Sequence, residues 1–222
     1  MPDLTPILTI DGPSGSGKGT ISKLIAKHLG WHMLDSGAIY RVLALRVLRE
    51  NCAFDDIDTI ESLAGMLDVE FSDYGAYLAG IDVSREIRSE ACGDVASKIS
   101  AFPTVRDALL ARQRLFAQSP GLVADGRDMG TIVFPEAFLK IYLDASVEER
   151  AKRRFLQLKE SGYNVNLQDL VADIIQRDVR DRTRAVAPLR PAPDAILIDS
   201  TALDIGGVFQ QIVHLVQQRL SN

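Results

Sequence analysis

The sequence predicts an α/β domain: a five-stranded parallel sheet with helices on both faces, carrying a small antiparallel ribbon-and-helix insertion and a charged helical lid. Three observations predict it. The apolar run Ile7–Asp11 enters a glycine-rich turn and then a helical repeat. Strand and helix patterns alternate from there to residue 50, and apolar strands resume near residues 122, 138 and 195 after a middle of different rhythm. The expected organisation is one domain, with a core of 1–64, 101–146 and 185–222, an insertion at about 65–100 and a lid at about 147–184.

After the first strand, Ile21, Leu24, Ile25 and Leu29 recur at helical spacing, and Gly30 closes the helix. Residues 31–34 form a short second strand. Residues 36–50 carry Ile39, Val42, Leu43, Leu45, Val47 and Leu48, enough for a strongly apolar helix. A helical stretch at 57–67 precedes three short pieces at 69–71, 77–79 and 81–83. The turn residues Ser72, Asp73, Tyr74, Gly75 and Gly80 between them predict the antiparallel ribbon. Helices follow at 90–100 and 104–118, with Pro103 suited to a first turn. Residues 122–125 form a fully apolar strand ending on an acid, and strands at 138–143 and 195–198 complete the sheet. The region 147–184 is charged and helical, interrupted near Gly162, Tyr163 and Asn164. A last helix at 205–220 shows Val208, Ile212, Leu215 and Val216 on one face.

Composition narrows the function classes. Hydrophobic residues make up 46% and charged residues 25%, an ordinary globular balance. The net charge of −5 lacks the basic footprint of a general nucleic-acid binder, so no nucleic-acid partner is expected. Local arginine clusters can still bind a small anion. Cys52 and Cys92 have no paired spacing for a disulfide framework or zinc, and are read as buried free thiols. No apolar stretch approaches the roughly 18 residues of a membrane span. The first six residues lack a signal-peptide pattern, and a cytoplasmic protein is expected.

The glycine-rich turn carries the first chemistry. Gly12, Pro13, Ser14, Gly15, Ser16, Gly17, Lys18, Gly19 and Thr20 lie between a strand and a helix. There the backbone N–H groups and the helix N-terminus form an anion nest. Lys18 adds a mobile positive charge for the outer phosphates of a nucleoside triphosphate. Gly19 stands where the usual motif has a hydroxyl, and Thr20 follows one residue later. That departure puts a direct hydroxyl ligand to magnesium in doubt. No Asn-Lys-x-Asp segment for reading guanine is present, which argues against a regulatory GTPase.

Four segments together are more specific: Gly12 to Thr20, Leu34 to Arg41, Ala124 to Thr131 and Arg177 to Arg184. Through them the chain resembles bacterial cytidylate kinases over nearly its whole length, within the P-loop nucleoside monophosphate kinases. The resemblance implies transfer of the γ-phosphoryl group of ATP to CMP, and to dCMP, with Mg²⁺, by a protein that is usually a monomer. The Gly19-Thr20 ending fits such kinases.

Arg41 and Arg127 are two guanidiniums on elements that leave strand ends, where open α/β sheets bind ligands. They suit an acceptor phosphate beside the triphosphate loop. Asp35 and Ser36 follow the second strand into the same region. For Arg127 and Asp128 a structural ion pair is the alternative. The resemblance implies Arg127 on the acceptor phosphate and Asp128 on the cytosine amino group, where uracil presents an acceptor instead. By resemblance alone, Ser36 contacts substrate and Ser97 and Arg106 complete the base pocket. Arg177, Asp181 and Arg184 fall at i, i+4 and i+7, on one helix face. A solvent-facing set of ion pairs is the alternative, because Asp173 with Arg177 and Asp178 with Arg182 are spaced i, i+4. The resemblance makes Arg177 and Asp181 ribose contacts and Arg184 a phosphate arginine. Lys18, Arg127 and Arg184 are the expected catalytic charges. Arg150, Lys152, Arg153 and Arg154 are assigned to the lid over the triphosphate. The metal's direct ligands stay open, with Asp125 a candidate to orient it. His28, His32 and His214 are read as structural, since an anionic acceptor needs no general base.

Overall fold

The computed structural model describes residues 5–72, 75–160 and 162–221. Its chain forms two compact units, one of Met1–Leu34 with Phe116–Asn222 and one of Asp35–Leu115.

The first unit is built on a five-stranded parallel sheet in the order β2-β6-β1-β7-β8, from β1 (Ile7–Asp11), β2 (His32–Asp35), β6 (Leu122–Gly126), β7 (Leu139–Asp144) and β8 (Ile196–Asp199). β1 pairs with β6 in the register Ile10↔Asp125 and Asp11↔Gly126, and with β7 in the register Asp11↔Tyr142. The C-terminal ends of β1 and β6 therefore lie side by side. β6 is buried along its whole length, as expected of a strand covered on both faces. Helix α1 (Lys18–Leu29) packs on β6 and on the terminal helix α8 (Ile205–Leu220). Leu8, Ile10, Ile21, Ile25, Val123, Ile141, Leu143, Ile212 and Val216 form the buried core. The charged region resolves into α6 (Val147–Glu160) and α7 (Leu167–Thr183), packed against each other. At the other end of the sheet, Trp31 lies over Gly121, where an added Cβ would come within 2.4 Å of the indole. The Phe138 ring stands 5.9 Å from it.

The second unit contains α2 (Ser36–Arg49), α3 (Ile57–Gly65), the antiparallel sheet β3 (Val69–Ser72), β4 (Gly75–Leu78) and β5 (Ile81–Asp82), then α4 (Glu90–Ile99) and α5 (Pro103–Arg114). Ile39, Leu43, Leu63, Val95, Ile99 and Leu109 fill its interior. The expected ribbon is present, although its Asp73-Tyr74 turn lies outside the described residues. α5 begins at Pro103, as its fixed φ favours, but it stops at Arg114 rather than near 118; Leu115 beyond it is exposed.

Candidate active site at the phosphate loop and strand ends

Each loop glycine has its own reason. A Cβ on Gly12 (φ +150°) would collide with the backbone carbonyl of Leu143 on the neighbouring strand. Gly15 (φ +79°) lies on the Arg150 backbone, and Gly17 (φ +92°) caps α1 in the left-handed region without a side-chain bond to the helix N–H groups. The first turn of α1 thus keeps N–H groups for an anion. A Cβ on Gly19 would stand 3.3 Å from Oδ2 of Asp125, so glycine at this position leaves space for the Asp125 carboxylate beside the loop. Thr20 is exposed.

Lys18 is 5% exposed, with Nζ donating to the Pro13 carbonyl at 2.7 Å. Burial first, and then the Arg127 charge, lowers its pKa to about 7, against the opposing pull of Asp125 and Asp11. An ammonium this far desolvated gains much from a phosphate brought beside it.

Asp11, at the end of β1, is a site residue that the sequence reading passed over. Its carboxylate accepts from the backbone N–H of Met129 and of Gly130, both at 2.8 Å. These two residues open a π-helical turn, Met129–Val133, that directly follows Arg127 and Asp128. One buried acid thus joins the start of the phosphate loop to the end of β6. Burial raises its pKa to about 6 although both N–H bonds favour the ionised form. The signal available in the sequence was an acid ending an apolar strand.

Asp128 is buried at the start of that turn, 3% exposed, and its backbone carbonyl accepts from Ile132 N–H at 2.9 Å. Arg127 donates from Nε to Asp181 at 3.1 Å. Burial opposes its charge, but Asp181 and Asp125 together hold its pKa above the ordinary arginine value. Asp181 in turn is held below the usual carboxylate range; burial works against this, and Arg127, Arg177 and Arg184 outweigh it. The structure therefore gathers three arginines, Arg127, Arg177 and Arg184, around the Asp181 carboxylate. The expected helical spacing does not explain Arg184. α7 ends at Thr183, and Arg184 is its extended C-cap, with Nε on the Ala187 carbonyl at 2.7 Å.

In the charged region the structure departs from the alternative ion-pair reading and from the lid assignment of two arginines. Asp178 takes Arg150 as its ion-pair partner among the described residues, not Arg182 four positions on. Arg150 is 1% exposed, and Arg153 is bound to the Ser16 carbonyl and to Ser200, so neither is a free lid cation. Periodicity on a single helix could not anticipate partners from α6 and the loop.

In the second unit, Asp35 is the N-cap of α2, accepting from Ala38 N–H at 2.9 Å, and so has a local structural use. Ser36 is buried and its Oγ donates to Gln113 Oε1 on α5 at 2.8 Å, a partner 77 residues away that no local pattern signals. Arg41 donates to the carbonyls of Ile87 at 2.8 Å and Ser89 at 3.3 Å. Arg106 is buried over the Tyr40 ring, its Nη1 on the Ser100 carbonyl at 3.1 Å. Ser97, on α4, is also buried, and its Oγ has no hydrogen-bond partner among the described residues.

The histidines have structural partners: His28 meets Phe209 edge-on, His32 lies 2.9 Å from the Ser119 carbonyl, and His214 bonds Gln218. Both cysteines are free; Cys92 is buried as expected, whereas Cys52 is only half-buried. Among the described residues no cluster of three or more His, Cys, Asp or Glu side chains could cage a metal, and no helix is long and apolar enough to cross a membrane.

A family model described as cytidylate kinase matches residues 8–218. The chain is 55% identical to a cytidylate kinase of Aeromonas hydrophila over 226 residues, covering 100% of this chain and 98% of that one. It is 53% identical over 227 residues to a cytidylate kinase of Shewanella denitrificans, covering 100% of both. A gluconokinase crystal structure from Sinorhizobium meliloti aligns over 98% of this chain and 95% of its own at 14% identity and TM-score 0.49, too remote to inform function. A family match spanning nearly the whole chain, and relatives more than half identical from end to end, agree with the loop and the strand-end acids: this chain belongs to the cytidylate kinase family.

Proposed function

We propose that the chain transfers the γ-phosphoryl group of ATP to CMP, and to dCMP, giving ADP and the corresponding diphosphate. The observation that carries this reading is the juxtaposition at the ends of β1 and β6. A phosphate loop with a buried lysine lies next to a turn that Asp11 pins through two 2.8 Å bonds, and that turn presents Arg127 and Asp128.

In this reading the loop and Lys18 neutralise the outer phosphates of ATP. Arg41, Arg127 and Arg184 hold the acceptor phosphate, which is already an anion and needs no general base. Arg177 and Asp181 serve the ribose, and Ser36 supports the acceptor. Asp128 accepts from the cytosine N4 amino group. Uracil would set a carbonyl lone pair against the carboxylate of Asp128, a residue 3% exposed, an unpaired contact that costs affinity for the wrong base. The buried hydroxyl of Ser97 on α4, without a partner among the described residues, supports a polar ligand at that helix, and in this reading Arg106 supplies a donor for the acceptor edge of the ring.

The hard oxygens of Asp125, held against the loop at Gly19, fit Mg²⁺, which takes one or two carboxylates together with substrate phosphates. Bound there, the ion would add charge neutralisation across the phosphates. Residues 147–184 act as the lid, and 65–100 as the acceptor-binding insertion. The same reading makes the enzyme a cytoplasmic monomer acting on small molecules without nucleic acid, a state that light scattering checks.

The test is ADP release with ATP and a panel of nucleoside monophosphates. CMP is expected to be the preferred acceptor; equal rates with UMP or AMP would overturn the assignment.

A further inference from the structure

Arg150 belongs to α6, yet it binds three other parts of the first unit. Nε donates to the Ala145 carbonyl at 3.0 Å, closing the turn between β7 and its own helix. Nη1 donates to the Ser14 carbonyl at 3.0 Å, in the middle of the phosphate loop. The remaining bonds form a two-pronged grip on Asp178 of α7, Nη1 to Oδ1 at 3.0 Å and Nη2 to Oδ2 at 2.5 Å. Arg150 is 1% exposed, and Asp178 is 7% exposed. Gly15 closes the arrangement from above: a Cβ there would meet Arg150 Cβ at 3.0 Å and its carbonyl oxygen at 3.1 Å. The loop backbone thus lies directly on this residue.

Asp178 stands next to Arg177 and one turn before Asp181, the residue that holds Arg127. A continuous path of bonds therefore runs from the Ser14 carbonyl through Arg150 and Asp178 to α7, and through Asp181 to Arg127 at the end of β6. A buried ion pair is a poor source of net stability, because desolvation offsets its attraction and an apolar pair of similar volume often serves as well. What it does supply is direction: a planar fork fixes two partners at set angles, and here the partners are the triphosphate loop and the helix of acceptor residues.

We propose that Arg150 and Asp178 are a positioning pair that holds the phosphate loop and α7 in mutual register, so that a nucleotide on the loop tightens binding of the acceptor. This rests on the kinase reading for the identity of the two ligands. The pair touches neither one, and acts through the Ser14 peptide on one side and through α7 on the other. Sequence alone reads Arg150 as a lid charge and offers Asp178 only an alternative local pairing with Arg182; the bonds give both a different use.

The apolar double variant R150M/D178L tests this, because it removes the fork without leaving a buried charge. Three quantities are read: thermal stability, KM for ATP and CMP separately, and the affinity for CMP with and without a non-hydrolysable ATP analogue. Wild type is expected to bind CMP several-fold tighter with the analogue present. The double variant should fold, raise both KM values about tenfold and lose that enhancement. If the double variant does not fold, D178E, which keeps both charges on a longer arm, is read by the same criteria. The proposal is overturned if the folded variant keeps both KM values and the enhancement, if only KM for ATP rises, or if wild type shows no enhancement. A wild-type enzyme inactive on CMP sinks the kinase reading instead. Affinity for the ATP analogue then judges the pair, and an unchanged affinity in R150M/D178L overturns it.

Discussion

The phosphate loop and helix α4 hold their polar groups in opposite ways. Around the loop, carbonyls are tied to fixed donors: Ser14 to Arg150, Ser16 to Arg153, Pro13 to Lys18. With its carbonyls held outward and glycines at the left-handed turns, the loop is left with N–H groups for an anion. In α4, by contrast, Ser97 buries a hydroxyl that no described residue satisfies. The loop is built to carry charge through the backbone, which tolerates many phosphates. The α4 hydroxyl is suited to a partner of one shape, as a base reader is.

Breaking the loop side should have the largest effect. Lys18→Ala is expected to lower turnover ~10²–10³-fold in steady-state assays, if its charge is neutralising the transferring group. A loss under threefold would place that charge elsewhere.

Second comes Asp11. Its folded pKa of about 6 lies above the ordinary aspartate value of 3.8, so folding takes up a proton between them. The sign follows: the protonated form's contribution is fully present below the unfolded value and is lost as pH rises through about 6. By linkage this amounts to roughly 3 kcal/mol, an order-of-magnitude figure. Denaturant titrations from pH 4 to 6.5 should show this slope in wild type and its loss in Asp11→Asn. A slope that survives the substitution would assign it to another group. The same variant weakens the tie to Met129 and Gly130, so its selectivity for CMP should fall as well.

Base selection is third. Asp128→Asn exchanges an acceptor-only group for one that can also donate, and should cut the CMP-to-UMP ratio of kcat/KM ~10²-fold. An unchanged ratio in competition assays removes Asp128 from the base pocket.

The smallest effect sharpens the contrast most. Ser97→Ala deletes a buried hydroxyl without a described partner, so thermal melts should show stability unchanged or raised by about 1 kcal/mol. KM for CMP should rise several-fold at the same time, with KM for ATP untouched. A destabilised protein with normal KM would mean the hydroxyl is structural.

Legibility in the sequence followed the same division. The strand-loop-helix order, the sheet and the ribbon could be read because each rests on local periodicity or on turn residues. Gly12 to Thr20 could be read because its chemistry is contiguous. The roles of Asp11 and Gln113, and the partners of Arg150 and Asp178, are not legible in the sequence because each acts through a partner more than 20 residues away. For Arg184 the expected place on the helix face does not hold: the chain leaves the helix there, and the C-cap rather than the 3.6-residue period sets its place.

Trp31 carries a practical consequence. It is the chain's single tryptophan, and it is wedged over Gly121 and beside Phe138, each just ahead of a strand. The phosphate loop and Arg127 leave the opposite edge of the same parallel sheet, from the C-terminal ends of β1 and β6. Its emission therefore reports on whether this end of the sheet is assembled. An optical melt of this protein needs no added dye, and it separates loss of fold from loss of ligand in every variant above.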